Sequence, residues 1–269
     1  MIPAILFGRK GSIGFPGKNL HKVLGRPLCP YPLLAAINSK LIDKVFVSTD
    51  DEEIMKIGKE NGAELIHRPA ELANKTVLVD QVFAHGYSEV QKLHDVEMVV
   101  ILVCNAANIL PKMIDKGINA LRDNPSIDSA VGVSDYTTWS PIRARKEDDN
   151  GLLQPFVPFE VFGDDPSKIN CDRDSVGDVW FVDMSVSVVR PKCLEDLENG
   201  MLPQQWLGQK ILPIKLEKFC KQHDINRNKF IILLPGRLTY WKGQKIFIEA
   251  INILSKKENI PPFEAIILG

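Results

Sequence analysis

The chain has 269 residues, 45% of them apolar, and its 33 basic and 34 acidic side chains give a formal net charge of −1. This length and apolar content suffice for one large domain or two smaller ones with buried cores. A charge this close to zero excludes a general polyanion-binding surface, so we expect no nucleic-acid partner.

Membrane insertion and secretion are not expected either. The sequence has no apolar run long enough to cross a membrane and no signal-peptide pattern, so we expect a cytoplasmic protein without a membrane span. The cysteines are odd in number and widely spaced, which indicates buried free thiols rather than zinc ligands or disulfides; they are Cys29, Cys104, Cys171, Cys193 and Cys220.

A basic, glycine-rich loop follows the first predicted strand. Residues 2–7 form an apolar run of strand length, and residues 8–19 read Gly-Arg-Lys-Gly-Ser-Ile-Gly-Phe-Pro-Gly-Lys-Asn. Glycines let backbone N–H groups approach a ligand, and Arg9, Lys10 and Lys18 supply positive charge. This loop is therefore predicted to hold phosphate, with a glycine-rich surface turn as the alternative.

Two common phosphate loops do not fit this spacing. A Walker loop requires glycine at the position of Ser12 and Ser or Thr at that of Asn19. A dinucleotide fingerprint requires Gly-x-Gly-x-x-Gly, whereas the glycines here fall at positions 11, 14 and 17.

Strands and helices are predicted to alternate along the next 120 or so residues, an order that predicts a parallel sheet with helices on both faces. The predicted strands are 44–48, 97–103 and 129–134, and the predicted helices are 31–39, 51–61, 78–93 and 111–124. Asp50 and Asp51 precede one helix, where they either cap it or lie near substrate at the carboxyl ends of the strands.

Prolines, glycines and charged residues become frequent over residues 141–180, and we interpret this segment as an insertion. Residues 147–151 are predicted to form a hairpin turn with a solvated acidic run. A strand over 178–189 and a short helix from Pro191 follow. The tail is predicted to form a strand over 230–234, a helix over 245–254 and a strand over 263–268.

The glycine-rich loop resembles the Arg-x-Gly-Ser-Lys-Gly-x-Pro-x-Lys-Asn motif of the acylneuraminate cytidylyltransferases, which include CMP-sialic acid and CMP-Kdo synthetases. The matching residues are Arg9, Gly11, Ser12, Gly14, Pro16, Lys18 and Asn19. The similarity continues through Gly-Arg-Pro-Leu at 25–28, Val-Phe-Val-Ser-Thr-Asp-Asp at 45–51 and Arg-Pro-Ala-Glu-Leu-Ala at 68–73. It covers residues 1 to about 226.

The resemblance implies a Rossmann-like α/β nucleotidyltransferase fold, with a mostly parallel sheet flanked by helices and a dimerisation segment inserted at 141–180. It implies transfer of CMP from CTP to an acidic sugar, such as sialic acid, Kdo or a related nonulosonic acid, by a homodimer that uses Mg²⁺. Arg9 and Lys18 would be catalytic. The implied nucleotide-binding residues are Arg9, Gly11, Ser12, Lys18, Asn19, Arg68 and Asn105.

Some of these assignments have alternatives. Arg68 could be an ordinary surface arginine before a proline turn. Asn105 and Asn108 stand where the family reads the base with a glutamine, but asparagines at strand ends often satisfy only the backbone of a turn. Asp224 matches the first aspartate of the family's metal-binding Asp-Ile-Asp.

Two positions depart from the family pattern. Ile13 replaces the loop lysine, and Asn226 replaces the second metal-binding aspartate. Both changes remove charge that would act on the triphosphate or the metal. A catalytically impaired nucleotide-binding module of the same fold is therefore the alternative function.

Residues 227–269 resemble the start of the nucleotide-sugar-binding domain of retaining GT-B glycosyltransferases. The similarity lies in Gly-Arg-Leu-x-x-x-Lys-Gly at 236–243, and it implies donor-diphosphate contacts at Arg237 and Lys242. We interpret this segment as a truncated strand-helix-strand fragment with a vestigial site. A docked accessory unit, or part of a fused glycosyltransferase, is the alternative.

Overall fold

A computed structural model divides the chain into two compact units, Met1–Lys215 and Leu216–Gly269. The boundary predicted at residue 226 lies outside the residues that the structure describes. Those residues are 1–11, 14–74, 76–135, 140–163, 165, 167, 169–170, 178–215, 230–235, 244–257 and 263–268.

A seven-stranded sheet forms the first unit. Numbered along the chain, its strands lie in the spatial order β11 (Ile211–Lys215), β7 (Ser129–Asp135), β10 (Trp180–Val189), β6 (Val99–Val103), β1 (Pro3–Phe7), β4 (Lys44–Thr49) and β5 (Glu64–His67). Strand β10 is antiparallel to both neighbours, and every other pair is parallel. The predicted mostly parallel α/β sheet is confirmed.

Helices cover both faces of this sheet, and all four predicted helices are present. They are α1 (Pro30–Ile37), α2 (Glu52–Glu60), α3 (Val79–Gln91) and α4 (Pro111–Asp123), and the short α5 (Pro191–Glu195) follows β10. Consecutive strand residues point to opposite faces. Accordingly, Phe46 lies in the apolar cluster that includes Phe83 of α3, whereas Val47 on the other face lies against Gly58 of α2.

The apolar core between α3 and the sheet is aromatic at its centre. The rings of Phe7 and Phe83 lie 4.7 Å apart, and Phe83 meets Trp206 edge-to-face at 4.9 Å. Trp206 is fully buried, although it comes from the irregular segment after α5. Such pairs add about 0.5–1.5 kcal/mol beyond the area they bury.

Two strands of the sheet were not predicted. Strand β5 alternates poorly, with three of its four residues exposed at the edge of the sheet, so its sequence lacks an apolar run. Strand β11 contains Pro213, which is tolerated because an edge strand leaves one row of backbone groups unpaired.

The inserted segment contains the predicted hairpin. Strands β8 (Arg145–Glu147) and β9 (Leu153–Pro155) pair in antiparallel fashion, and the N–H of Asp148 donates to the carbonyl of Leu152 at 2.9 Å. A second hairpin, β2 (Lys22–Val23) with β3 (Arg26–Pro27), follows the glycine-rich loop. That short hairpin was not predicted.

The second unit contains the three predicted elements of the tail. Strands β12 (Phe230–Pro235) and β13 (Phe263–Leu268) are parallel, and α6 (Gln244–Leu254) lies between them in sequence. Arg237 and Lys242, the predicted donor-diphosphate contacts, fall outside the described residues. Their role remains a prediction.

Three of the five cysteines lie in the described part of the chain, and all three are buried free thiols. Burial raises the pKa of Cys29 to about 12 and that of Cys193 to about 11. Among the described residues, no helix is both long and apolar enough to cross a membrane.

Helix α3 approaches the sheet closely at Gly86, and Gly86→Ala tests that contact. A methyl group there would lie 2.7 Å from two atoms of the Phe7 ring, so the ring or the helix must move. We expect the free energy of unfolding, measured by urea denaturation, to fall by about 1–3 kcal/mol. Helix propensity alone would favour alanine by about 1 kcal/mol.

Gln81→Ala on the exposed side of α3 is the matched control. It should change the free energy of unfolding by less than about 0.5 kcal/mol. Equal losses in both variants would contradict the close contact at Gly86.

Candidate functional site

The carboxyl ends of the parallel strands bring the predicted site residues to one edge of the sheet. Arg9 follows β1, Asp50 follows β4, Arg68 follows β5 and Asn105 follows β6. Strands β5, β4, β1 and β6 are adjacent and parallel. Ligands of open α/β sheets bind at this edge, so the edge is the candidate site.

The root of the glycine-rich loop is fixed to both neighbouring strands. The N–H of Gly8 donates to the carbonyl of Ser48 at 3.2 Å, and the N–H of Cys104 donates to the carbonyl of Phe7 at 3.0 Å. A side chain at Gly8 would place its Cβ 2.6 Å from the sulfur of Cys104. Only glycine therefore allows the loop to leave β1 in this direction.

Two side chains hold the next peptide group of the loop. The Nδ2 of Asn19 donates to the carbonyl of Arg9 at 3.3 Å, and the N–H of Lys10 donates to the Oδ1 of Asp50 at 2.9 Å. Asn19 is 7% exposed, and its Oδ1 has no hydrogen-bond partner among the described residues. A buried acceptor without a partner is costly, so a donor group from a ligand would stabilise it.

Arg68 is a buried cation whose hydrogen bonds within the described residues go to Ser48. It is 5% exposed, its Nη2 donates to the carbonyl of Ser48 at 2.5 Å, and its Nε lies 3.4 Å from the Oγ of Ser48. This burial excludes the alternative of an ordinary surface arginine. No carboxylate within the described ranges forms an ion pair with it.

The electrostatics of Arg68 favour an incoming anion. Burial is the main cause that lowers its pKa, the charge of Asp50 raises it, and the charge of Arg9 lowers it again. A buried charge without a full counter-charge is unfavourable. A phosphate or carboxylate beside Arg68 would supply that counter-charge.

The charges of Lys18 and Arg68 both act on Cys104. Burial raises the pKa of this thiol, and the two cations act in the opposite direction. Lys18 begins a short helical turn, Lys18–Leu20, after Gly17. Three of the predicted cations, Arg9, Lys18 and Arg68, therefore act electrostatically on the same edge.

The remaining predicted residues divide into those that are described and those that are not. Asp51 caps α2 by accepting hydrogen bonds from the N–H groups of Glu53 and Ile54 at 3.0 and 3.3 Å, so its capping role is confirmed. Asn105 and Asn108 are exposed after β6, and a base contact at either remains a prediction.

The metal site predicted at Asp224 cannot be located in the described part of the chain. Ser12, Ile13, Asp224 and Asn226 all fall outside it, and Gly11 is exposed inside it. Among the described residues, no group of three or more His, Cys, Asp or Glu side chains is arranged to hold a metal ion.

A bulge in β10 brings further polar groups to this edge. Val182 pairs with Val133 and Ser187 with Val131, so residues 183–186 face the single residue Gly132. The Ser134 hydroxyl donates to the Oδ2 of Asp183 at 2.7 Å. The sequence pattern predicts one continuous strand over residues 178–189, and Asp183 within the apolar run is the signal of the irregularity that the structure contains.

The bulge is also strained and incompletely hydrogen-bonded. Met184 has a φ of 58°, which is rare for a residue with a side chain. The buried hydroxyl of Ser185 has no hydrogen-bond partner in the described ranges. Strain of this kind is common near functional sites.

An open groove of about 600 Å³ lies at the opposite edge of the sheet, near the amino ends of the parallel strands. The Tyr87 hydroxyl donates there to the Oε1 of Glu195 at 2.6 Å. None of the predicted site residues that the structure describes lines this groove. The strand-end cations, rather than this groove, therefore define the candidate site.

Comparison with known families identifies the family to which this chain belongs. A family model described as "Cytidylyltransferase" matches residues 3–146, which include β1, the glycine-rich loop, Asp50 and Arg68. The chain belongs to the cytidylyltransferase family. The match ends before most of the inserted segment.

Three curated relatives illustrate the family. The pseudaminic acid cytidylyltransferase and UDP-2,4-diacetamido-2,4,6-trideoxy-beta-L-altropyranose hydrolase of Helicobacter pylori is 30% identical over 154 residues, 57% of this chain and 29% of the relative. A 3-deoxy-manno-octulosonate cytidylyltransferase of Chlamydia trachomatis is 32% identical over 133 residues, 49% of this chain and 50% of the relative. An N-acylneuraminate cytidylyltransferase of Escherichia coli is 36% identical over 87 residues, 32% of this chain and 21% of the relative. The chain thus spans half or less of each of these cytidylyltransferases.

Solved structures support the fold. A CMP:2-keto-3-deoxy-manno-octonic acid synthetase complexed with CTP superposes with a TM-score of 0.52 at 14% identity, covering 99% of this cytidylyltransferase-family chain and 90% of that one. A 4-diphosphocytidyl-2C-methyl-D-erythritol synthase from Anaerococcus prevotii gives a TM-score of 0.50 at 19% identity, covering 83% and 92%. At such identities these similarities concern the fold alone.

Arg68→Met tests whether the buried guanidinium serves ligand binding rather than folding. The change removes a buried charge and keeps much of the side-chain volume, so the melting temperature should stay within about 4 °C of wild type. Affinity for CTP, measured by titration calorimetry, should fall about tenfold or more, because a charged hydrogen bond to the anion is lost.

Lys22→Met removes an exposed cation from the β2–β3 hairpin and is the control. It should leave CTP affinity within about twofold, since exposed charges contribute little. If Arg68→Met unfolds the protein, or binds CTP as wild type does, the assignment of Arg68 to the ligand is wrong.

Proposed function

We propose that this chain transfers CMP from CTP to a hydroxyl of an acidic sugar and releases pyrophosphate. The observation that carries the proposal is Arg68, a buried cation beside the basic loop of a cytidylyltransferase-family sheet that forms no ion pair with any carboxylate of the described residues. The names of the curated relatives, which concern pseudaminic acid, 3-deoxy-manno-octulosonate and N-acylneuraminate, support an acidic sugar as acceptor.

The triphosphate would lie along the loop after β1. Arg9 and Lys18 supply positive charge, and Gly11 and Ser12 belong to the backbone segment that approaches the phosphates. In the reaction, the sugar hydroxyl oxygen forms a bond to the α-phosphorus as the bond from that phosphorus to the bridging oxygen of the β-phosphate breaks. The hydroxyl proton is lost and pyrophosphate leaves, so cations near the leaving group stabilise the transition state.

The nucleoside part requires hydrogen-bond donors and acceptors in addition to cations. The Oδ1 of Asn19, which has no partner within the described part of the chain, can only accept a hydrogen bond and so suits a hydroxyl or amino group of the nucleotide, not a phosphate oxygen. The exposed amide of Asn105 could contact the base. These two asparagines would therefore recognise the nucleoside while the cations hold the phosphates.

Magnesium belongs to the proposal on chemical grounds. It would neutralise charge on the phosphates and on the departing pyrophosphate. Asp224 is the carboxylate that would hold it, and Asn226 could add an amide oxygen without charge. Neither residue lies in the described part of the chain, so this assignment depends on the sequence.

A nucleotide-binding module without catalysis is the second candidate. Ile13 and Asn226 favour it, because each replaces a charged residue of the motif that the chain resembles. Under this alternative, CTP binds and the sugar is not activated. Separately, we propose that residues 227–269 are a fused glycosyltransferase fragment, in which Arg237 and Lys242 would be vestigial contacts to a donor diphosphate.

Pyrophosphate release separates the two candidates. With Mg²⁺ and a panel of sugar acids, we expect pyrophosphate from CTP but not from ATP, GTP or UTP. Binding of CTP by calorimetry without pyrophosphate from any sugar acid would favour the binding module. Absence of CTP binding would contradict both candidates.

The same assay measures the effect of the two departures from the family motif. The double variant Ile13→Lys, Asn226→Asp restores a loop cation and a carboxylate. If the absence of charge at these two positions limits catalysis, the rate of pyrophosphate release should rise about tenfold or more in the double variant. An unchanged rate would mean that the two positions are not limiting.

We also propose that the chain forms a homodimer through the inserted segment. Four large apolar side chains are exposed there within the described residues: Leu152 at 61%, Leu153 at 72%, Phe156 at 61% and Val161 at 70%. Large exposed apolar side chains such as these are common at protein interfaces. A second copy of the chain would bury them.

Light scattering after gel filtration tests the dimer. Wild type should have about twice the 30.1 kDa mass of one chain, and Leu153→Glu should shift it toward the monomer, because a carboxylate would be buried at the interface. Leu93→Glu, at an exposed apolar position after α3, should leave the mass unchanged. A wild-type mass near 30 kDa would overturn the proposal.

A further inference from the structure

Asp50 reaches from the end of β4 to the loop that leaves β1. Its Oδ1 accepts the N–H of Lys10 at 2.9 Å, a contact between residues 40 positions apart in sequence. The parallel pairing explains the proximity, since Ser48 stands opposite Phe7. The capping role that was an alternative for Asp50 belongs to Asp51 instead.

Asp50 and Asn19 act on the two ends of one peptide group. Asn19 donates to the carbonyl of Arg9, and Asp50 accepts from the N–H of Lys10. These two atoms belong to the planar peptide unit that joins Arg9 and Lys10. Because the C=O and N–H of a trans peptide point in opposite directions, the two side chains hold the unit from opposite sides.

Fixing this peptide plane constrains the ψ angle of Arg9 and the φ angle of Lys10. Those angles set the direction in which the backbone enters the rest of the loop and in which the Arg9 side chain leaves it. The neighbouring residue Gly8 is already bonded to β4 through its own N–H. The first three residues of the loop are therefore anchored before any ligand arrives.

The charge of Asp50 is unexpected beside cations that receive a triphosphate. A carboxylate there repels the ligand, so its presence requires a compensating role. Asp50 raises the pKa of Arg68 against the effect of burial, and an ionised acceptor makes a stronger hydrogen bond to an N–H than a neutral one. Both effects favour the arrangement of the empty loop.

We propose that Asp50 is a positioning residue that fixes the Arg9–Lys10 peptide plane and thereby prepares the loop to receive the triphosphate. The inference rests on the proposed function, because it assigns the loop to CTP. Asp50 does not touch the nucleotide in this proposal. It acts through the backbone of the loop, and the ordering that it provides reduces the entropy lost on binding.

The test uses three variants of the full chain. Asp50→Ala removes the acceptor and the charge, Asp50→Asn keeps an acceptor oxygen and removes the charge, and Glu52→Ala removes an exposed acid two residues away as the control. Two quantities are measured: hydrogen exchange of the Lys10 amide without ligand, and the dissociation constant for CTP. Melting temperatures identify any variant that fails to fold.

Asp50→Ala should speed exchange of the Lys10 amide about tenfold or more and weaken CTP binding by about tenfold, which is the usual effect of losing a hydrogen bond to a charged group. Asp50→Asn should lie between wild type and Asp50→Ala in both measurements, because an acceptor oxygen remains but its hydrogen bond is weaker without the charge. Glu52→Ala should match wild type. In a pyrophosphate assay, Asp50→Ala should raise KM for CTP more than it lowers kcat.

Several outcomes would overturn the inference. Exchange of the Lys10 amide that is unchanged in Asp50→Ala would exclude the anchoring role. An Asp50→Asn variant as impaired as Asp50→Ala would assign the effect to charge rather than to the hydrogen bond. If wild type binds CTP and Asp50→Ala binds it equally well, the role of Asp50 fails alone; if wild type does not bind CTP, the proposed function fails with it.

Discussion

One carbonyl oxygen, that of Ser48, joins three strand ends at the candidate site. It accepts the N–H of Gly8 at 3.2 Å and the Nη2 of Arg68 at 2.5 Å, so the ends of β1, β4 and β5 are tied to a single atom. The root of the phosphate loop and the buried guanidinium are thereby held in a constant relation. The rest of the site depends on this junction, because the loop and Arg68 come from segments about 60 residues apart.

In this arrangement, the well-packed first unit holds positive charges close together at an energetic cost. Arg68 is buried with neutral hydrogen-bond partners, and Arg9 and Lys18 add positive charge nearby. The aromatic core between α3 and the sheet, centred on Phe83 and Trp206, supplies the apolar burial that tolerates such a cost. An anionic ligand would then relieve the repulsion, so binding energy comes partly from removing an existing penalty.

The sequence predicted those parts of the fold that are encoded locally. The buried strands β1, β4, β6 and β7 contain short apolar or β-branched runs, and the helices between them have apolar periodicity, so their order alone indicated a parallel sheet. Strand β5 was missed because edge exposure removes that signal. Within the site, the loop cations were identifiable from composition, whereas the burial of Arg68 and the reach of Asp50 to Lys10 depend on pairing between distant strands. No local pattern encodes such contacts.

The bulge in β10 changes which side chains of the strand point to which face of the sheet. Five positions separate Val182 from Ser187, but their partners Val133 and Val131 are only two apart. The strand therefore has three extra residues here, and an odd number of extra residues turns the following side chains to the opposite face of the sheet. For this reason Val182 and Val189, although seven positions apart, both contact the same apolar cluster. Since side chains alternate with a period of two, removing or adding one residue between 183 and 186 would turn Trp180 and Val182 to the other side of the sheet. Relatives that keep this core should therefore differ in length here only by even numbers of residues.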